Sequence, residues 1–200
     1  AVTVTGDCQI QWGEPIIITS MHVAGESGLC GTDWDPAENQ MSGSEGVNSI
    51  TFTDIPAGTY EFKIVKDKAW TYSWGNGSAN ASVTVAESGS TVTVTFKAST
   101  KAISAQVVAP EKYDVTFNGT NVTSSNATAK VVKGDSYSTT LTVAEGYELS
   151  QVTVTMGGAA VEGAYNASTG VITIGSVTGD VVITAAAVVK SYGVTFSGSN

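Results

Sequence analysis

The feature that most restricts the fold of this chain is its lack of helical periodicity. No stretch of about ten residues or more repeats apolar side chains at the three- and four-residue spacing of a helix. Short runs rich in Val, Ile, Thr, Phe and Tyr instead recur along the whole sequence, with Gly, Pro, Asn or Asp between them. Side chains of this kind fit the pleated surface of a sheet. The sequence therefore predicts an all-β protein.

The first half of the chain contains several such runs with turn residues between them, which indicates a β-sandwich. The expected strands are Val2–Thr5, Ile16–Ser20, Ser49–Thr53, Thr59–Val65, Ser82–Val85, Thr91–Lys97 and Ala102–Val108. The clearest is the fourth of these, where Tyr60, Phe62 and Ile64 alternate with polar residues after a turn that contains Pro56.

Two connections in this half carry further expectations. Val83 and Val85 precede a turn at residues 87–90, and apolar residues return at alternate positions after it, which predicts a hairpin. Residues 21–48 form the one long connection, and connections of this length are usually functional or contain a brief helical turn. The sequence Asp35-Pro36-Ala37-Glu38 is a suitable helix start.

A composition shift near residue 110 indicates a domain boundary. All four tryptophans precede this position: Trp12, Trp34, Trp70 and Trp74. The segment Ala109-Pro110-Glu111-Lys112 has the composition of a linker between domains. We expect a first domain at 1–110 and a second, smaller β-sandwich module at 111–190. The strands expected in the second module are Tyr113–Phe117, Ala129–Lys133, Ser136–Val143, Ser150–Met156, Gly170–Ile174 and Asp180–Ala186.

A short internal repeat closes the sequence. The stretch from Tyr113 to Asn121 returns as Tyr192 to Asn200, and six of the nine positions are identical. We therefore expect residues 191–200 to begin a further repeat, and the parent protein to carry further tandem modules of this kind.

The candidate binding site is an aromatic stretch in the first half. Trp70, Tyr72 and Trp74 fall at every second position, so an extended backbone would place their rings on one face, and Gly75-Asn76-Gly77 follows as a turn. Sugar rings stack on such a row through their apolar C–H faces, while Lys68 and Asn76 would bind their hydroxyl groups. The alternative is that all three rings face inward as part of a sandwich core.

Charge and cysteine content limit the partners. The formal net charge is −9, and the nine basic residues are all lysines, so the sequence lacks a nucleic-acid-binding footprint. No apolar run approaches the ~18 residues that a membrane span needs, so we expect no membrane insertion. The abundance of Thr, Ser, Gly, Val and Asn is typical of exported bacterial β-modules. Cys8 and Cys30 could form a disulfide or remain thiols, and both alternatives stay open.

The sequence gives little support for a catalytic function. His22 is the only histidine, and no nucleophile motif accompanies it, so we expect a structural role for it. Asp33 and Asp35 are too close in sequence for a glycosidase pair, which straddles a scissile bond at ~5–9 Å. Seven carboxylates between Asp7 and Glu45 could hold calcium, but their spacing matches no known loop. We expect no metal, no cofactor and no enzyme activity.

Four motifs carry a resemblance to a known family. They are Val23-Ala24-Gly25-Glu26-Ser27, Gly31-Thr32-Asp33-Trp34-Asp35-Pro36, Ile55-Pro56-Ala57-Gly58-Thr59-Tyr60-Glu61-Phe62-Lys63 and Trp70-Thr71-Tyr72-Ser73-Trp74-Gly75. They occur in the order seen in the starch-binding β-sandwich modules of pullulanases and amylopullulanases. The resemblance implies an immunoglobulin-like sandwich that binds α-glucan without catalysis. It also implies a packing role for Trp34, which we keep as a possible additional ligand-binding residue.

The second half resembles Ig-like repeats of Gram-positive surface proteins. The whole chain therefore looks like a starch adherence protein of an amylosome-type system, secreted or held at the surface of a Gram-positive bacterium. We expect a monomer that binds starch or malto-oligosaccharides. The alternatives are a binder of another neutral glycan, such as xylan or β-glucan, and a structural or protein-binding segment of a surface adhesin.

Overall fold

The computed structural model describes residues 19–44, 46–195 and 197–198. The chain divides into two compact units, Ala1–Ala109 and Pro110–Asn200, which we call unit 1 and unit 2. The strand expected at Val2–Thr5 lies outside the described residues, as do all but the last two residues of the strand expected at Ile16–Ser20.

Unit 1 is built from two antiparallel sheets. Its elements are β1 (Met21–Gly25), α1 (Ser27–Cys30), β2 (Ser42–Ser44), β3 (Val47–Ile55), β4 (Gly58–Lys66), β5 (Ala69–Trp74), β6 (Ala81–Val85), β7 (Ser90–Lys97) and β8 (Ala102–Val108). In the first sheet β4 is central, with β1 along one side and both β5 and β6 along the other. The second sheet has the order β2-β3-β7-β8.

The core of unit 1 lies between these sheets. Phe62 and Ile64 of β4 and Val92, Val94 and Phe96 of β7 fall at alternate positions of their strands, and all five are buried in one apolar cluster. Burial of apolar surface at a period of two is what a two-sheet sandwich requires. The predicted β-sandwich is therefore confirmed for unit 1.

The hairpin expected between the strands now named β6 and β7 is wrong. β6 pairs with β4 in the first sheet, whereas β7 pairs with β3 and β8 in the second. Residues 86–89 therefore carry the chain from one sheet to the other. The Gly89 N–H donates to the Ile55 carbonyl (3.0 Å), and the Ser90 hydroxyl donates to the Glu87 carbonyl (2.5 Å), so this crossing is hydrogen-bonded in place.

The long connection contains more structure than the sequence predicts. It includes β1, which pairs with β4 over five residues, and the single-turn helix α1. The helix expected at Asp35 is wrong: the Asp35 carboxylate accepts the N–H of Ala37 (2.8 Å), so this side chain stabilises a turn. The one helix among the described residues is too short to cross a membrane.

Unit 2 is a second sandwich. Its strands are β9 (Lys112–Thr120), β10 (Val122–Ser124), β11 (Lys130–Val132), β12 (Tyr137–Val143), β13 (Tyr147–Met156), β14 (Ala159–Ala160), β15 (Tyr165–Asn166), β16 (Val171–Ile174) and β17 (Val181–Val189). One sheet has the order β11-β9-β17-β13-β14 and the other β10-β12-β16-β15. The six predicted strands are confirmed, and the sequence missed the three short strands β10, β14 and β15.

The first and last strands of unit 2 are neighbours and run parallel. Val115 pairs with Val181, and the register continues to Thr120 with Ala186. Ile172, Val181 and Ile183 are buried in the core of this unit. The second β-sandwich expected from the sequence is thus confirmed.

The described residues of the stretch that repeats the sequence of β9, 192–195 and 197–198, lie in no strand. Tyr113 lies in β9 and packs against the core of unit 2, whereas its counterpart Tyr192 lies outside any described strand and is 79% exposed. The further repeat at 191–200 stays a prediction.

Candidate functional site

A tight turn presents the aromatic stretch. Asp67 and Lys68, between β4 and β5, both have left-handed backbone conformations, with φ of 55° and 60°. Two such residues in succession form the type I′ turn that suits the twist of a hairpin. The Asp67 carboxylate also accepts the N–H of Ser20 (2.9 Å). The aromatic residues therefore begin at a fixed hairpin corner.

The pairing of β5 with β4 is irregular. Lys66 pairs with Ala69, but the next paired residues are Val65 and Ser73. Between these two pairs the chain advances by four residues on β5 but by only one residue on β4. Because the difference of three residues is odd, the alternation of side chains between the two faces of β5 is interrupted. The expectation that Trp70, Tyr72 and Trp74 form one uninterrupted row is therefore wrong.

Trp74 faces inward. It pairs with the buried Ile64, and its ring stacks on the buried Phe96 with the centroids 5.2 Å apart and the planes 30° apart. The Lys101 ammonium lies 4.9 Å from the centroid of the Trp74 ring. Trp74 is half-buried and packs against the core of unit 1. The expectation of an open stacking face is corrected for this ring.

Trp70 and Tyr72 are the exposed rings of β5. Trp70 is 44% exposed and Tyr72 is 60% exposed, values that leave part of each ring open to solvent. The ammonium of Lys66 lies 5.6 Å from the centroid of the Tyr72 ring and 3.7 Å from the Asp67 carboxylate. A cation held over a ring is restricted in its motion and keeps unused hydrogen-bond donors.

Trp34 joins Trp70 from another part of the chain. The two ring centroids are 6.3 Å apart and the planes are tilted by 39°. Trp34 is half-buried. Its backbone N–H donates to the carbonyl of Gly25 (2.8 Å), at the end of β1. The sequence favoured a packing role for Trp34, and the structure places this ring beside the candidate site. We call Trp34, Trp70 and Tyr72 the aromatic surface.

His22 holds the segment that follows Trp34. Its side chain is fully buried, with Nδ1 2.8 Å from the Glu38 carbonyl and Nε2 2.9 Å from the Ser20 hydroxyl. A carbonyl only accepts, so Nδ1 carries a proton, and in the neutral ring Nε2 accepts from Ser20. The Asn39 amide also donates to the Cys30 carbonyl (3.0 Å). These contacts support the structural role expected for His22.

The two polar residues expected at the rim are both exposed. Lys68 lies at the β4–β5 turn, and Asn76 lies in the loop between β5 and β6, where it forms a bridge with Ala79. Gly75 is required there, because a Cβ atom would lie 2.1 Å from the Ala79 carbonyl oxygen. Lys101, in the β7–β8 turn, is close to Trp74 but was missed, since no sequence pattern links these distant positions.

The carboxylates of this region have structural partners. One Glu26 carboxylate oxygen accepts the N–H of Glu61 (2.8 Å), and the Glu61 side chain accepts from the Asn80 amide (2.9 Å). No group of three His, Cys, Asp or Glu side chains in the described part of the chain could hold a metal ion. Three of the seven carboxylates considered as calcium ligands in the sequence, Asp7, Glu14 and Glu45, lie outside that part.

Cys30 is buried in the core of unit 1. It is 6% exposed, and burial raises the pKa of its thiol to about 12. The suggested partner, Cys8, lies outside the described residues, so the two alternatives, a disulfide and two thiols, both stay open.

Comparison with known families agrees with the two-unit architecture. Residues 18–103 match the family model of the pullulanase X25 domain, and residues 112–183 match that of the MucBP domain. Both are accessory domains, and the second is a repeat of Gram-positive surface proteins. The chain thus combines a region similar to pullulanase accessory modules with a region similar to a surface repeat, and the predicted resemblance is confirmed.

Similarity at the level of whole chains is limited. No curated protein matches the sequence. A pullulanase from Bacillus acidopullulyticus matches among the solved structures, with 17% sequence identity and a TM-score of 0.38. The match covers 84% of this chain and 27% of the pullulanase. The chain thus corresponds to a minor part of that protein's length.

Proposed function

We propose that unit 1 is a non-catalytic module that binds α-1,4-linked glucans, namely starch and malto-oligosaccharides. The observation that carries the proposal is the aromatic surface, where Trp70 lies beside Trp34 on a hydrogen-bonded frame and Tyr72, on the same strand as Trp70, is also partly exposed. Exposed rings grouped in this way are a common mark of a binding site. The match to the pullulanase X25 domain supports a glucan as the ligand.

Stacking supplies most of the affinity in this proposal. An aromatic contact contributes ~0.5–1.5 kcal/mol beyond area burial, so a few rings give a dissociation constant of about 10 μM to 1 mM. In this proposal Lys66, which lies over the Tyr72 ring, and the exposed Lys68 and Asn76 donate hydrogen bonds to sugar hydroxyls. Trp74 contributes the part of its ring that the core leaves accessible.

Unit 2 acts as a spacer in the same proposal. Its match to a surface repeat supports a place in an extracellular protein of a Gram-positive bacterium, with further tandem modules. Several modules on one chain would raise the avidity for an insoluble granule without any new contact. We place the protein in an amylosome-type system that captures starch for enzymes carried on other chains.

Affinity electrophoresis of the 200-residue chain tests the function. We expect retardation by amylopectin, no retardation by xylan or mixed-linkage β-glucan, and no release of reducing sugar from starch. Retardation by xylan but not by amylopectin would replace the starch assignment with another neutral glycan. Absence of retardation by every polysaccharide would favour a structural or protein-binding segment.

A further inference from the structure

The first sheet of unit 1 has a gap along one side of β4. β5 pairs with β4 from Ile64 to Lys66, and β6 pairs with it from Gly58 to Phe62, while residues 75–80 leave the sheet between the two. A cleft of about 450 Å³ lies at this gap. We call it the edge cleft, and its lining residues are Phe62, Gly75, Asn76, Ala81, Ser82, Lys101, Ala102, Ile103 and Ala105.

The chemistry of the edge cleft suits a sugar. Asn76, Ser82 and Lys101 bring hydrogen-bond donors and acceptors, and all three are exposed. The small side chains of Ala102 and Ala105, from the edge strand β8, leave room on the opposite wall. A few polar groups around a partly apolar concavity are the usual composition of a small-ligand site.

The edge cleft is continuous with the candidate site through one residue. A second pocket, of about 340 Å³, is lined by Thr19, Met21, Lys66, Tyr72, Trp74 and Lys101. Lys101 therefore lines both concavities, and its ammonium lies over the Trp74 ring that separates Tyr72 from the Gly75 corner. A ligand that leaves Tyr72 along β5 thus meets Lys101 and then Asn76.

We propose that the edge cleft is a further subsite for the α-glucan chain that binds the aromatic surface. Lys101 donates hydrogen bonds to sugar hydroxyls at the junction, and Asn76 and Ser82 bind the next sugars. This inference rests on the proposed function and adds a chain-length preference to it. Short malto-oligosaccharides occupy the aromatic surface alone, whereas longer ones also fill the cleft and bind more tightly.

Two matched variants separate this subsite from the aromatic surface. Ser82→Trp places a large ring at the cleft, on an exposed position of an edge strand. Thr84→Trp places the same ring two residues further along β6, at an exposed position that does not line the cleft. A longer ligand can bind one site in more registers, and this statistical advantage is the same in both variants. The difference between their affinities for maltoheptaose therefore measures the contribution of the edge cleft.

Isothermal titration calorimetry with maltotriose and maltoheptaose measures the effect. We expect Ser82→Trp to weaken maltoheptaose binding by about 10-fold, which corresponds to ~1.4 kcal/mol, and to leave maltotriose binding within about twofold. Thr84→Trp should change neither. Equal affinity of Ser82→Trp and Thr84→Trp for maltoheptaose would overturn the subsite while leaving the aromatic surface intact.

Amide shifts of the wild-type chain give a second readout that needs no variant. We expect maltoheptaose, but not maltotriose, to shift the NMR amide signals of Ala102, Ile103 and Ala105. No shift at these residues on saturation with maltoheptaose would reject the inference. Failure of both oligosaccharides to bind at all would reject the proposed function itself.

Discussion

The indole rings of Trp34 and Trp70 face each other at a centroid distance of 6.3 Å although their residues come from separate segments of unit 1. Trp70 is supplied by the β4–β5 hairpin, and Trp34 by the turn after α1. The aromatic surface is therefore composite, and both segments have to be in place for it to form.

Removal of Trp70 should abolish most of the binding. We expect Trp70→Ala to weaken maltoheptaose binding by about 10-fold or more, because the variant loses a stacking ring and leaves Trp34 without its neighbour. Trp34→Ala should have a smaller effect of about threefold, since this ring is less accessible. Calorimetry measures both affinities. Thr71→Ala, on the same strand, is the control, and equal affinities of Trp70→Ala and Thr71→Ala would contradict the proposal.

Trp74 should matter for stability as well as for binding. Its ring stacks on Phe96 in the core, so Trp74→Ala should lower the free energy of unfolding of unit 1 by about 2–4 kcal/mol. Trp70→Ala should lower it by less than about 1 kcal/mol, because that ring is partly solvated. Urea denaturation followed by circular dichroism measures both changes, and similar losses for the two variants would show that Trp74 does not pack as described.

His22 should act on the site through the segment that follows Trp34. We expect His22→Ala to destabilise unit 1 by ~2–3 kcal/mol, because a buried side chain and two hydrogen bonds are lost. Hydrogen exchange should accelerate at the Met41 N–H, which donates to the Met21 carbonyl. Thr84→Ala, at an exposed site, is the control. An unchanged exchange rate at the Met41 N–H in the His22 variant would show that the hydrogen bonds of His22 are not needed to hold this segment.

The Glu111–Lys133 ion pair should give unit 2 a specific acid dependence. A hydrogen bond from Lys133 Nζ (2.7 Å), with a smaller contribution from the Tyr113 hydroxyl, lowers the pKa of the Glu111 carboxyl. A lowered folded-state pKa stabilises the fold above the unfolded value of about 4.3, and this stabilisation is lost as the pH falls through the folded value.

NMR titration of the Glu111 carboxyl tests the origin of this shift. Lys133→Met should raise the pKa of the Glu111 carboxyl towards the ordinary value, because the hydrogen bond from Lys133 is removed. Lys130→Met is the matched control, since Lys130 pairs with Asp114 instead. Equal Glu111 titration curves in the wild type and in Lys133→Met would exclude the pair as the cause.

Cys30 should be unreactive in the folded chain. Burial hinders access and raises the thiol pKa to about 12, so little thiolate exists at pH 8. With reductant present to open any disulfide, we expect iodoacetamide to label Cys30 rapidly in urea and slowly in its absence. Peptide mass spectrometry measures the labelling, and the same map without reductant shows whether Cys8 and Cys30 are bridged. Rapid labelling without urea would contradict the burial.

The sequence predicted strands better than it predicted their partners. β7 could be found because Val92, Val94 and Phe96 alternate with threonines, which reflects burial on one face. The same pattern does not say which sheet a strand joins, so β6 and β7 were wrongly paired with each other. β1 was missed because four of its five residues are buried, which removes the alternation that marks a half-buried strand.

Prediction from the sequence has the same limit for the orientation of individual aromatic rings in the candidate site. The period-two spacing of Trp70, Tyr72 and Trp74 predicted a common face, but the irregular pairing of β5 with β4 breaks that period. Such a bulge leaves no clear mark in a single sequence. The approach of Lys101 to Trp74 depends on sheet packing, which becomes visible only when the fold is known.

The parallel pairing of β9 with β17 has a mechanical consequence. Unit 2 begins with one of these strands and ends with the other, so tension applied through the chain pulls them in opposite directions along their shared ladder. The ladder is then loaded in shear, and its hydrogen bonds resist together instead of opening one after another. If the proposed function holds, unit 2 would stay folded under flow better than a module whose terminal strands unzip from one end.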